Sequence, residues 1–409
     1  MQKRILVVTQ HFWPEAFRVN DLVEGFVQDG LAVDVLCGLP NYPAGEWFAG
    51  YRYSGPRKES YKGAAVYRAG EVRRKGNGGL RIFLNYVSWP FFALFNLWRL
   101  PGGYSAVLCY NTSPVLMSFP ALVYAKLHRV PFTNYVLDLW PENLYSVLPV
   151  KNRFLRRAAR AVSDWHYRRA DKLIAMSPSL KERLVQRAKK PEAAVAVIPQ
   201  HCEDFYAVPL PDPALAARYA SRFNLVFTGN FSPAQSLPTV IRAAVTARAA
   251  GAERLQLVLV GDGMSRGELE ALVRELGAEG TVSFAGSVPP ADIPRYTSFA
   301  AGLVASLSAS PDLGLTVPAK LASYMAAAKP LLASMDGEGA AAVAAMELPA
   351  RARTQTSPAQ DAAALAENML ALYRMSEAGR AELGRRAFAW YQAHYRRRAV
   401  LDALENFIL

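Results

Sequence analysis

The run Leu137-Asp138-Leu139-Trp140-Pro141-Glu142, directly after an apolar stretch, is the sharpest chemistry-bearing feature of this 409-residue chain. Two carboxylates bracket a tryptophan there. Asp138 could take a proton from a hydroxyl if its surroundings raise its pKa toward working pH. Trp140 offers a flat apolar platform of the kind that carries a sugar ring. In the competing reading, Asp138 caps a helix that begins near Pro141. A second constellation lies in the other half. Glycines follow apolar runs at Phe227-Thr228-Gly229-Asn230, at Val260-Gly261-Asp262-Gly263 and at Phe284-Ala285-Gly286-Ser287. A residue without Cβ lets a ligand approach the backbone. Lys320, within Val317–Ala326, is the natural phosphate partner, because an ammonium neutralises charge without demanding fixed geometry. Alone it would read as a solvated lysine.

Two loops in the first half are less specific. QHFWPEAFRVND places His11, Glu15, Arg18 and Asn20 beside a helix start, where backbone N–H groups favour anions. Equally, Trp13-Pro14 could only shape a turn. The loop holds no G-x-G-x-x-G, which argues against a nicotinamide or flavin enzyme. GLPNYPAG, residues 38–45, offers Asn41 as donor and acceptor and Tyr42 as a stacking ring with a hydroxyl, or else a structural turn. Cys37, Cys109 and Cys202 lack the spacing of a zinc site or disulfide framework.

The elements that must position these residues alternate. Apolar runs at Arg4–Thr9, Ala32–Cys37, Ala106–Tyr110, Phe132–Leu137, Lys172–Met176 and Ala193–Ile198 read as buried strands with helical patterns between most of them. After the Pro-rich Val208–Pro213, runs at Phe223–Thr228, Leu255–Val260, Val282–Ala285, Ala300–Ser306 and Pro330–Ala333 restart the pattern, with helices at Pro238–Ala250 and Ser265–Leu276. This predicts an α/β chain of two doubly wound domains in series, with ligands outside the carboxyl ends of the strands. The expected boundaries are 1–205, 206–385, and a terminal helical segment 386–409 that crosses back to the first domain. That segment belongs to a long helical pattern over Glu377–Phe407. The first apolar run ends in Trp13-Pro14-Glu15, which reads as a strand and not a signal peptide.

The formal net charge of +13 implies attraction to polyanions: nucleic acid, anionic lipid or phosphorylated substrates. No nucleic-acid-binding signature is present, and no nucleic-acid partner is expected. Ile82–Trp98, although uncharged, carries too many polar interruptions to span a bilayer.

In order, FWPEAFRVNDL, GLPNYPAG, LDLWPENL, FTGNFSPAQ, LVGDG, VPAKLASYMAAAKPLL and MDGEGA resemble the retaining family-four (GT4) glycosyltransferases of the GT-B fold over nearly the whole chain. The L-fucosamine transferase-like branch of O-antigen and capsule polysaccharide assembly is the most similar. The resemblance implies two facing Rossmann-like domains with a central cleft and no obligatory metal or other cofactor. It implies a nucleotide-diphosphate sugar donor, UDP-linked and carrying an N-acetylated deoxyhexosamine. On the donor side it implies Gly229, Asn230 and Gln235 at the diphosphate, Gly261, Gly263 and Ser287 at the nucleoside, and Lys320 with Ser323 completing the site. Asp138 and Glu142 would be catalytic. His11, Glu15, Arg18, Asn20, Asn41, Tyr42 and Trp140 would take the acceptor, a glycan on polyprenyl diphosphate.

The resemblance departs in one place. The family's two glutamates, eight positions apart, are here Leu315 and Ser323, leaving Asp312 or Glu338 as substitutes. Ala328 stands where many relatives have Gly. The basic segments Arg73-Arg74-Lys75 and Lys151–Lys172, with the aromatic run Phe83–Trp98, suit shallow contact with an anionic membrane surface. A cytoplasmic enzyme, peripheral on the inner face of the cytoplasmic membrane, is the expectation. Competing readings are a nucleotide-sugar 2-epimerase and a noncatalytic GT-B partner subunit.

Overall fold

The computed structural model describes residues 2–42, 45–74, 79–147, 152–346 and 355–409. Pro43, Ala44, Lys75 and Lys151, which belong to the loop and basic segments singled out above, lie outside the described residues. The chain divides into two compact units, Met1–Ile198 with Leu401–Leu409, and Pro199–Val400.

The first unit is built on β1 (Arg4–Val8), β2 (Ala32–Cys37), β3 (Lys58–Tyr61), β4 (Ala64–Arg68), β5 (Ala106–Asn111), β6 (Phe132–Val136), β7 (Lys172–Ala175) and β8 (Val195–Val197). They order as β3-β4-β2-β1-β5-β6-β7-β8. All pairs are parallel except β3 with β4. Continuous apolar runs suit strands covered on both faces, and every residue of β5 and β6 is buried. The β3–β4 hairpin is the element the apolar pattern does not announce. β3 reads KESY, lies at the sheet edge, and needs only half of its residues turned inward.

In the second unit β9 (Phe223–Thr228), β10 (Leu255–Val260), β11 (Val282–Gly286), β12 (Gly302–Ser306), β13 (Leu331–Ser334) and β14 (Thr356–Ser357) form a parallel sheet. The order is β11-β10-β9-β12-β13-β14. Alternation sorts side chains to two cores. Leu225, Phe227, Leu257 and Leu259 join helices Leu237–Ala249 and Ala362–Arg374 on one face; Val226, Val258 and Val260 join helices Ala319–Ala326 and Glu377–His394 on the other. Strand order reverses at β1/β5 and at β9/β12, so each unit has a topological switch point at its carboxyl edge.

The long terminal pattern over Glu377–Phe407 is two helices, Glu377–His394 and Arg397–Ile408. The break falls where Cys202 pairs with the chain, its N–H donating to the Tyr395 carbonyl at 2.9 Å. Lys172 Nζ donates to the Phe407 carbonyl at 2.6 Å, fixing Leu401–Leu409 in the first unit.

Helix Gly79–Leu94 has an inverted pattern. Asn85, Trp89 and Ala93, four apart, are buried, whereas Leu80, Leu84, Val87, Phe91 and Phe95, with Trp98 in the following turn, form an exposed stripe. Trp98 is 77 % exposed. Helix Arg153–Arg169 exposes Phe154, Leu155, Val162 and Trp165 among its arginines. Both helices pack on helix Ser118–His128. Among the described residues no helix is long and apolar enough to cross a membrane.

Candidate active site

In the second unit the backbone closes tightly at the carboxyl ends of β9, β10 and β11. Gly229 N–H donates to the Val260 carbonyl at 2.9 Å, and Gly261 N–H to the Gly286 carbonyl at 2.8 Å. Gly261 has φ +144°, and a Cβ there would stand 1.9 Å from the Gly229 carbonyl oxygen. At Gly263 a Cβ would meet Asn230 Oδ1 at 2.3 Å. Contacts within the protein by themselves require glycine at positions 261 and 263.

Lys320 completes the group. Its Nζ donates to Gln235 Oε1 and sits 3.8 Å from the centre of the Phe227 ring. It lies 3.3 Å from where a Gly229 Cβ would be. One turn on, the Tyr324 hydroxyl accepts the Thr228 N–H at 2.6 Å, locking the helix to the end of β9. Burial pushes the Lys320 amine down to about 7. An anion at this point would restore its charge. Asn230 and Ser287 are exposed at the same strand ends.

Two further donor-side positions, Ser323 and Glu338, remain. Ser323 is buried on helix Ala319–Ala326. Glu338 opens helix Glu338–Ala344 after Gly337, whose φ of +70° and close approach to Gly314 fix the loop that holds Asp312 and Leu315.

In the first unit His11, Glu15, Asn20, Asn41 and Tyr42 come together as one knot. Glu15 Oε2 meets His11 Nδ1 at 2.8 Å, while its Oε1 accepts the backbone N–H groups of Asn41 and Tyr42, both at 2.7 Å. Asn20 accepts from the Trp13 N–H at 2.8 Å and donates to the Glu15 carbonyl at 2.7 Å. The His11 ring stacks on Phe17 at 4.9 Å. His11, Glu15 and Asn41 are buried, so they brace the loops after β1 and β2, and the Tyr42 ring is what the loop presents. Arg18 precedes helix Val19–Gln28 and is close enough to Tyr135 on β6 to act on its hydroxyl.

Asp138 follows β6, partly buried, beside Asn143. Loss of water raises its carboxyl to about 7, although the Asn143 hydrogen bond opposes the shift. Trp140 is not an open platform. The residue is 9 % exposed, its Nε1 donates to Ser113 Oγ at 2.8 Å, and its backbone N–H donates to the Tyr167 hydroxyl at 3.0 Å. Glu142 has guanidinium partners on both oxygens, Arg187 Nη1 at 2.8 Å and Arg160 Nη1 at 3.4 Å. It holds helix Glu142–Val147 to the helices that follow.

The sequence left Glu71 unmarked and offered Arg74 only as part of a basic segment and Asn85 and Tyr86 only as part of an aromatic run, yet the four surround the Asn41–Tyr42 loop. No local motif marks them. The available signal was a glutamate three residues past the end of the stretch that is β4. Among the described residues no group of three or more His, Cys, Asp or Glu could hold a metal ion.

Comparison with known proteins gives this arrangement relatives. Residues 16–201 match the family described as Glycosyl transferase 4-like domain, and residues 222–375 the family described as Glycosyl transferases group 1. A probable glycosyltransferase, WbjE of Pseudomonas aeruginosa, is 26 % identical over 234 residues, 55 % of this chain and 56 % of that protein. The match thus spans about half the length of that curated relative. Among solved structures, sucrose-phosphate synthase from Thermosynechococcus elongatus superposes with a TM-score of 0.76 at 19 % identity, over 99 % of this chain and 98 % of that one. HepE from Anabaena, in complex with UDP and glucose, gives 0.70 at 14 % identity over 99 % of each. The trehalose-6-phosphate protein from E. coli, bound with UDP-2-fluoro glucose, gives 0.73 at 12 % over 99 % of each.

Proposed function

We propose, from the premise that this chain is a glycosyltransferase of the GT-B type with a glycosyl transferase 4-like domain followed by a group 1 domain, that it moves a sugar from UDP to a lipid-linked glycan with retention of configuration. The sugar is an N-acetylated deoxyhexosamine, and the setting is O-antigen or capsule assembly on the inner face of the cytoplasmic membrane. The resemblance set out from the motifs supports this reading, as do relatives in complex with UDP.

One observation carries it. A half-buried lysine, Lys320, meets a glycine-lined backbone at the switch point of the second unit. In this reading Gly229, Asn230, Gln235 and Lys320 hold the diphosphate; Gly261, Gly263 and Ser287 approach the nucleoside. Ser323 and Glu338 serve the donor from behind. As the bond from the sugar carbon to phosphate breaks, charge grows on the leaving diphosphate, and protonated Lys320 neutralises it. The acceptor oxygen bonds to that carbon and gives up its proton, either to the departing phosphate or to Asp138. Glu142 positions the Asp138 loop. The exposed stripe of helix Gly79–Leu94 and the arginines of helix Arg153–Arg169 support peripheral membrane contact.

Thermal stabilisation against UDP, GDP, CDP, dTDP and ADP tests the donor site. A ligand held only by the native state at 100 times its Kd stabilises by about 2.7 kcal/mol. UDP should raise the melting temperature selectively, and Lys320→Ala should abolish the rise. A chain indifferent to all five diphosphates is not the transferase described here.

A further inference from the structure

Glu71, in the loop after β4, is a fully buried carboxyl with no part in the chemistry above. Its Oε2 accepts from Gln10 Nε2 and its Oε1 from Asn41 Nδ2, both at 2.6 Å. Gln10 Nε2 also reaches Asn85 Oδ1 at 3.0 Å, and Asn85 Nδ2 donates to the Val72 carbonyl at 2.7 Å. Burial, reinforced by the charge of Glu15, raises the Glu71 carboxyl well above the usual range. The network ties the loop after β2, the loop after β4 and helix Gly79–Leu94 into one piece.

Arg74 is what that piece displays. Its backbone N–H donates to Asn41 Oδ1 at 3.3 Å and its Nε to Asn85 Oδ1 at 3.2 Å. The guanidinium lies over the rings of Tyr42 at 5.2 Å and Tyr86 at 5.0 Å. Among the described residues neither Nη group has a hydrogen-bond partner. A guanidinium fixed through Nε against aromatic rings offers two coplanar outer donors, the geometry that grips phosphate. Tyr86 in turn makes an edge contact with Trp140 at 6.4 Å, two residues beyond Asp138. On the other side, Tyr86 belongs to the helix that carries the exposed apolar stripe.

We propose that Arg74 is the anchor for the diphosphate of a prenyl-diphosphate-linked acceptor, with the prenyl chain on the stripe of helix Gly79–Leu94 and the sugar on the Trp140 side. This rests on the transferase reading and adds the residue that selects its acceptor. A phosphate site beside an apolar helix face should prefer a ligand that has both parts over either part alone.

Binding of farnesyl diphosphate, inorganic pyrophosphate and farnesol to the full chain, with the donor site saturated by UDP, tests it. Farnesyl diphosphate should bind more tightly than either fragment. Arg74→Gln should weaken it about tenfold to a hundredfold, the range for one charge-assisted contact, and leave farnesol binding unchanged. Arg74→Lys, which keeps the charge and the packed stem, should recover part of the loss and carries the test if Arg74→Gln does not fold. Equal loss for farnesol, pyrophosphate binding as tightly as farnesyl diphosphate, or an unaffected Arg74→Gln overturns the assignment. So does Arg74→Gln weakening adhesion to plain phosphatidylglycerol vesicles by the same factor, which would make Arg74 a surface cation. UDP stabilisation measured alongside separates the two failures. Its absence defeats the transferase reading, and its presence with Arg74 inert defeats only this one.

Discussion

Asp138 and Lys320 reach nearly the same proton affinity from opposite directions, one raised and one lowered to about 7 by the same loss of water. The signs of their effects on stability are opposite. Asp138 starts from 3.8, so between 3.8 and about 7 the folded chain binds the proton that the unfolded chain has released. Its contribution is complete below 3.8 and declines as pH rises through about 7. Asp138→Asn should therefore be more stable than wild type at pH 8, by about 2 kcal/mol, and no different at pH 3.5. Urea titrations at the two pH values read this directly. Transfer should fall about a hundredfold or more if Asp138 takes a proton, whereas full activity would reduce it to a structural group. Asp138 was legible because it follows an apolar run at a strand's end; Lys320, near a helix start, stood out only through the glycines that end other strands of its unit. Glu142 was less legible: the ion pair that occupies it comes from Arg187, 45 positions away in the chain. The Arg74 cluster was hidden for the same reason, being assembled from four separate segments.

Helix Gly79–Leu94 shows what the element scale adds. Its sequence reads as apolar and aromatic, which alone predicts burial; the structure turns Asn85 inward and most of its large apolar side chains outward. Water gains nothing from that arrangement, but a lipid interface does, at about 1.5–3 kcal/mol for each large side chain fully buried. The paired change Phe91→Ser with Phe95→Ser should cut adhesion to phosphatidylglycerol vesicles at least tenfold in a sedimentation assay and leave the melting temperature within a few degrees. A large loss of stability with adhesion intact would mean that the stripe is covered by protein. Elsewhere the elements followed the sequence wherever apolar runs were continuous, and β9 and β10 match to the residue. The β3–β4 hairpin did not, since an edge strand needs too few inward residues to leave a pattern. Nor did the terminal helices, because the break at Tyr395 is imposed by Cys202 from far along the chain.

For the whole molecule, +13 of net charge adds a long-range term to that local adhesion. Attraction of this kind is screened over about 10 Å at 0.1 M salt, so raising NaCl from 0.05 M to 0.5 M should weaken phosphatidylglycerol binding about tenfold and leave the residual binding to neutral phosphatidylcholine unchanged. Salt-independent adhesion would assign the contact to the stripe alone.

The helical segment Leu401–Leu409 has a consequence for synthesis. Leu401, Leu404 and Ile408 are buried in the first unit, and Lys172 bonds to Phe407 across 235 residues. A ribosome adding about 5–20 residues per second needs roughly 10–50 s to make that interval. The first unit thus emerges early but waits, with an apolar groove uncovered, until the whole second unit has been translated. Its vulnerable period is set by the length of its neighbour, and the nascent chain in that window is where a chaperone should be found.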